Sequence, residues 1–235
     1  MLVAGVDGTK AGWVAVLWDG QASRAFPLLT LAGIFEIAPD VAAIAIDMPI
    51  GFLDAAERGG RACERQARAL MPGRGSSVFN SPIRAALEAG EYTMASALNA
   101  ASSAHQLGLS KQSFALFPKL REVDQFIREV GQDLAFEVHP ELSFTHLAKQ
   151  RSSGTRLESK HSLTGLLQRI ELLSDEGMDP RPLLANRRPL KARDDDILDA
   201  VVAAWTAWRR AHGEALCFPE HPPKDSLGLL MEIWA

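Results

Sequence analysis

Cysteine, charge of one sign and long apolar runs are what this chain has little of. Only two cysteines occur, Cys63 and Cys217. They have no metal-ligand spacing and make no disulfide framework, so reduced thiols and a soluble cytoplasmic setting are expected. The 25 basic residues nearly cancel the 29 acidic ones, leaving a formal net charge of −4. That excludes a supercharged nucleic-acid tail and weighs slightly against broad binding to phosphate backbones, unless a local basic patch overrides it. No apolar run approaches the roughly 20 residues of a bilayer span. No basic n-region followed by an apolar h-region precedes the strand-like run at Leu2. Walker A, G-x-G-x-x-G and G-x-S-x-G motifs are missing as well, as are internal repeats and low-complexity tracts. What remains is a 235-residue chain that is 47% hydrophobic and 23% charged. Such a balance is that of a folded chain with a substantial core.

The first fifty residues read as four strands and one short helix. Leu2–Asp7 and Trp13–Trp18 are apolar runs joined through Gly8-Thr9-Lys10-Ala11-Gly12, a hairpin connection. Ser23–Leu28 reads as a third strand, weakened by Pro27, and Thr30 as the N-cap of a short helix over Leu31–Ile37. Ala42–Ile46 is apolar throughout, which fits a strand covered on both faces. From Phe52 to about Val130, helical spacing dominates, broken by Pro72-Gly73, Asn80-Ser81-Pro82, Gly90 and Phe117-Pro118. A strand returns at Leu134–Val138. Helices follow at Ser143–Gln150 and Ser162–Leu173, then a Pro/Arg-rich loop, then a strong helix over Asp195–His212. The tail from Pro219 to Leu227 reads as irregular. The order predicts an α/β fold: a mixed five-stranded sheet of three antiparallel strands plus two reached through crossovers, flanked by helices. The expected organisation is one domain over residues 1–235, with a helical insertion at about 52–130.

Acidic residues fall where such a sheet places ligand sites. Asp7 ends the first strand and Asp47 the fourth. If those strands are parallel neighbours, both carboxylates emerge together at the carboxyl edge. Asp195, Asp196 and Asp199 lie in the first turns of the last long helix; Asp196 and Asp199 share a face, as do Asp195 and Asp199. Clustered carboxylates raise one another's pKa unless a cation joins them, and an all-oxygen set suits Mg²⁺ or Mn²⁺. Two such ions would serve phosphoryl transfer. Each acid has a plainer reading: Asp7-Gly8 as a turn, Asp47 before Met-Pro as a turn, Asp194–Asp196 as helix-start acids. Asp199, one turn inside the helix, has no capping explanation.

Several segments together resemble a known family. They are Gly5-Val6-Asp7-Gly8-Thr9-Lys10-Ala11-Gly12-Trp13-Val14, Ile46-Asp47-Met48-Pro49-Ile50-Gly51, Arg74-Gly75-Ser76-Ser77-Val78-Phe79, Pro118-Lys119-Leu120-Arg121-Glu122-Val123-Asp124, Glu137-Val138-His139-Pro140-Glu141 and Asp196-Ile197-Leu198-Asp199-Ala200. The chain is similar to the DUF429 family over nearly its whole length. That family is classed with ribonuclease H-like folds and described as predicted nucleases. The resemblance implies that Asp7, Asp47 and Asp199, with Asp196 beside them, occupy catalytic and metal-ligand positions. Glu137 is a further metal-ligand candidate, or else a solvent-facing strand residue.

Arg74-Gly75-Ser76-Ser77 has the groups to cradle a phosphate, and Lys10, Arg84, Lys111, Gln112 and Lys119 are further candidates for a basic, substrate-binding surface. A solvated helical surface explains the same residues. Arg58, Arg61, Arg65 and Arg68 follow helical spacing near Glu57 and Glu64 and read mostly as surface ion pairs. Arg187, Arg188, Lys191 and Arg193 either steer a polyanion or neutralise Asp194–Asp196. His139 reads as a strand-end residue, and the five tryptophans as core. The leading functional expectation is a metal-dependent nuclease acting on nucleic acid. One alternative is a small-molecule kinase of the actin-like superfamily, whose first phosphate loop resembles Gly5–Lys10; no second Asp-x-Gly-Thr run is present. The other is a non-catalytic binding module on the same fold.

Overall fold

The computed structural model describes residues 1–151 and 156–235. The chain opens with strands β1 (Val3–Thr9), β2 (Gly12–Trp18) and β3 (Ser23–Leu28). A 3₁₀ turn at Leu31–Gly33 leads into the short helix α1 (Ile34–Ile37), and β4 (Ala43–Ile46) follows. Helices α2 (Ala62–Leu70), α3 (Arg84–Leu87), α4 (Tyr92–Ala101), α5 (Lys111–Ala115) and α6 (Phe117–Val130) come next. Then come β5 (Ala135–Glu137), α7 (Pro140–Arg151), α8 (Leu163–Asp175), α9 (Arg181–Ala185) and α10 (Asp194–Ala211). Two-residue strands at Cys217–Phe218 and Ile233–Trp234 flank the tail. Thr30 sits at the expected N-cap position, but its side chain makes no capping hydrogen bond.

Two compact units form. One comprises Met1–Met48, Asp133–Leu216 and Trp234–Ala235; the other comprises Pro49–Gln132 and Cys217–Ile233. In the first, the strand order is β3-β2-β1-β4-β5. β1 pairs antiparallel with β2 and parallel with β4, and β4 pairs parallel with β5. This is a five-stranded mixed sheet flanked by helices, consistent with a ribonuclease H-like fold.

One face of that sheet carries Val3, Val14, Val16, Ala43, Ala45, Phe136 and Val138, which share a core with Ile197, Leu198, Val201, Val202 and Trp205 of α10. The approach is close because the residues are small. A Cβ at Gly5 would lie 2.1 Å from the Ala200 carbonyl oxygen and from the Ala204 nitrogen, so only glycine lets α10 rest on β1. The other face carries Ala4, Val6, Ala15, Leu17, Ile44 and Ile46, all buried. β4 is thus covered on both sides, as its unbroken apolar run predicts.

The second unit holds the expected helical stretch together with Cys217–Ile233, a segment the sequence pattern did not assign to it. Side chains join the two pieces: Gln132 exchanges hydrogen bonds with the Leu230 backbone at 2.7 and 2.9 Å, and the Phe52 N–H donates to Asp225 at 3.1 Å. Arg61 differs from the surface role expected of it. It is buried, pairs with buried Glu64 at 2.8 Å and donates to the Ile50 carbonyl at 2.7 Å. Arg65 does form the exposed pair expected, with Glu57.

Candidate metal centre

The register of the parallel strands makes the site. Val6 lies opposite Ile46, and the Asp47 N–H donates to the Val6 carbonyl at 2.9 Å, so Asp7, which lies two residues inside β1 rather than at its end, and Asp47, just past β4, stand side by side. Asp7 is two residues beyond Gly5 and shares its face, the face α10 covers. With Ala200 and Ala204 over Gly5, the start of α10 overhangs the carboxyl end of β1, and Asp199 meets Asp7 and Asp47 there. One ligand oxygen from each of the three aspartates lies within 4.8 Å of the others. Asp7 and Asp199 are buried and Asp47 half-buried.

Charges so close are held at a cost. The Asp7 carboxyl is pushed well above the ordinary range by burial and then by Asp47, Asp199 and Asp196, against the Gly8 N–H that donates to its Oδ1 at 2.7 Å. Asp47 is pushed up by burial and by Asp199, with Glu137 and Glu141 adding to it and Lys160 opposing. Asp199 rises to about 6 through burial, although Lys160 pulls the other way. Asp199 Oδ2 accepts from Lys160 Nζ at 2.6 Å. Its Oδ1 is buried and has no hydrogen-bond partner among the described residues. An orphaned carboxylate oxygen beside two more carboxylates is a donor set that a divalent cation satisfies. Asp7, Asp47 and Asp199 can therefore hold a metal ion.

Other predicted residues lie outside this group of three. Asp196 is half-buried near Asp7 but accepts the Arg193 N–H at 2.8 Å, capping α10. Glu137 is buried, which excludes the solvent-facing alternative. It lies opposite Ile46, not Asp47, so strand alternation sends its side chain to the opposite face and it stays outside the three-carboxylate group. Lys10 is exposed at the β1–β2 turn. The basic residues ahead of α10 neutralise its acids, Arg187 with Asp194 and Arg193 with Asp195, each at 2.9 Å. His139 starts α7, its carbonyl accepting the Leu142 and Ser143 N–H groups.

The remaining candidates belong to the second unit. Ser76 and Ser77 are exposed, Arg74 is half-buried, and the Ser77 hydroxyl donates to the Arg74 carbonyl at 2.9 Å. Lys119 is half-buried on α6, and Lys111 lies over the Tyr92 ring. Arg84 is clamped between Asp124 and Asp225, with Phe52 beneath its guanidinium.

Three residues escaped the sequence reading. Lys160 sits in an irregular segment where no periodicity marks it. Glu141 is buried in the first turn of α7, at the end of the Glu137–Glu141 segment. Arg169, buried on α8, donates to Glu141 at 2.6 Å. Its signal was present, since it falls in the apolar stripe of Leu166, Ile170 and Leu173.

No helix among the described residues is long and apolar enough to cross a membrane. No curated protein and no solved structure gives a significant match to the chain. A family model described as "Protein of unknown function (DUF429)" matches residues 5–224. That span is most of the chain, which belongs to the DUF429 family.

Proposed function

We propose that the chain is a metal-dependent phosphodiesterase acting on nucleic acid, holding Mg²⁺ or Mn²⁺ on Asp7, Asp47 and Asp199. The observation that carries this reading is the convergence of three carboxylates within 4.8 Å, one with an orphaned buried oxygen. An all-oxygen donor set favours these ions over zinc. When bound, such an ion activates water and stabilises negative charge on a phosphoryl group. The protein's own part is positional. β1 and β4 fix Asp7 and Asp47 through backbone register, and α10 brings Asp199 from above. Exposed Lys10, three residues beyond Asp7, supplies a positive charge for a phosphate on the same unit. Asp196 keeps the helix start folded while adding negative potential at Asp7.

The test is hydrolysis of single- and double-stranded DNA, RNA, RNA–DNA hybrid and branched junctions with Mg²⁺ or Mn²⁺. Cleavage that chelator abolishes, and that Asp7→Asn, Asp47→Asn and Asp199→Asn each reduce to the chelator level, supports the proposal. Metal-independent cleavage, or none on any of these substrates, overturns it.

A further inference from the structure

The carboxylate group carries its own cation. Lys160 lies 2.6 Å from Asp199 Oδ2 and 4.0 Å from Asp195 Oδ2, with 29% of its side chain exposed. Burial works against the ammonium, but Asp199, then Asp47 and Asp195, outweigh it and hold the pKa above the ordinary lysine value. Arg169, a buried cation on α8, is committed to Glu141.

The support beneath Lys160 is built rather than loose. The Glu158 N–H donates to Gln168 at 2.7 Å, and the Glu158 carbonyl accepts from Arg169 at 3.0 Å. The Ser159 carbonyl accepts the Ser162 N–H at 2.9 Å and the Ser162 hydroxyl at 2.8 Å, while Ser162 caps α8. This backbone lies directly on the helix: a Cβ at Gly165 would sit 2.0 Å from the Ser159 carbonyl oxygen. An ordinary surface lysine spends its rotamer freedom in water. Lys160 instead rises from a fixed platform to a buried carboxylate whose second oxygen has no partner among the described residues.

We propose that Lys160 is a displaceable internal cation: its ammonium occupies Asp199 in the metal-free protein and gives up that oxygen when a divalent ion binds. The proposal rests on the metal reading of Asp7, Asp47 and Asp199. Three carboxylates and one ammonium leave net negative charge for a divalent ion to neutralise. The ammonium also competes with that ion for Asp199, and like charges a few ångströms apart repel. Lys160 therefore keeps the empty site folded and weakens metal affinity, two effects of opposite sign.

The experiment is Mn²⁺ titration calorimetry at pH 8, together with melting in chelator, on the parent, Lys160→Met and Lys160→Arg. Lys160→Met keeps the length and removes the charge. It should melt lower than the parent in chelator, yet bind Mn²⁺ about tenfold tighter or more, the factor that a change of some 1.4 kcal/mol represents. Lys160→Arg should restore the parent's affinity. A merely structural lysine would lower the chelator melt and leave the affinity unchanged, which overturns displacement alone. A parent that takes up no Mn²⁺ overturns the metal reading and displacement with it.

Discussion

Asp7→Asn preserves the shape of the side chain and its acceptor for the Gly8 N–H while deleting one charge from the cluster. Two full charges at 4.8 Å repel by about 3.5 kcal/mol at an effective dielectric of about 20. Repulsion of that size is not paid in full, because a proton can be taken up instead. At Asp7 the proton is favoured first by burial and only then by Asp47 and Asp199, so the charge removed carries a part of that repulsion rather than all of it. Removing the Asp7 charge should therefore stabilise the metal-free protein by about 1–3 kcal/mol, each worth about 2–4 °C at this chain length. Tryptophan fluorescence is the suitable probe, since Trp13, Trp18, Trp205, Trp208 and Trp234 all belong to the unit that carries the site. The parent should then gain about 2.7 kcal/mol from Mg²⁺ or Mn²⁺ at a hundredfold excess over its dissociation constant. The variant should lose most of that gain. If Asp7 serves only as a turn acceptor, the variant melts at or below the parent in chelator and metal shifts neither protein; that outcome refutes the reasoning.

The same electrostatics fix a pH dependence. Carboxyls raised in the folded state bind protons that the unfolded chain releases, so their cost is absent below about pH 4 and grows as pH rises through the folded value of about 6 at Asp199. The melting advantage of Asp7→Asn should accordingly widen between about pH 4.5 and 7; a constant gap across melts in that range contradicts it. Gly5→Ala should destabilise by about 4 kcal/mol or more, because its Cβ meets the backbone of α10 at 2.1 Å, whereas Gly90→Ala meets nothing within 4 Å. Urea unfolding of the two variants side by side checks this. Arg84→Ala should cost about 3 kcal/mol by leaving the Asp124 and Asp225 carboxylates short of their guanidinium. Circular dichroism in urea measures it; unchanged stability with weakened nucleic-acid binding would assign Arg84 to substrate binding instead.

The sheet was legible because its signals are local. Apolar runs ending in Asp-Gly gave the hairpin, and the unbroken run before Asp47 gave a strand buried on both faces, which in an α/β sheet is a central parallel strand. The second unit was less legible. Its helices follow helical spacing, but its closing segment, Cys217–Ile233, returns from far along the chain through contacts that no periodicity announces. Arg61 is ambiguous in the sequence for a related reason. Helical spacing places it beside Glu64, and that spacing is the same for a solvated pair and for a buried one.

At the candidate site, what was legible depended on parity and phase. Asp7 and Asp47 could be paired from sequence because each is the acid that closes an apolar run, and parallel neighbours in register place them on one face. Glu137 ends β5 in the same way, yet the register sets it against Ile46, one residue short of Asp47, and a single step reverses the face. Within α10 the choice between Asp196 and Asp199 was decided by the helix start: the acid in the first turn is drawn to the free Arg193 N–H, while the acid one turn on is carried over β1 by the contact of Gly5 with Ala200. Lys160 had no such signal, because its position comes from the platform that α8 provides. The carboxylates thus follow from strand and helix geometry, whereas the cation that balances them follows from tertiary packing of an irregular segment. A sequence reading of this site therefore finds the negative charges before it finds what makes them tolerable.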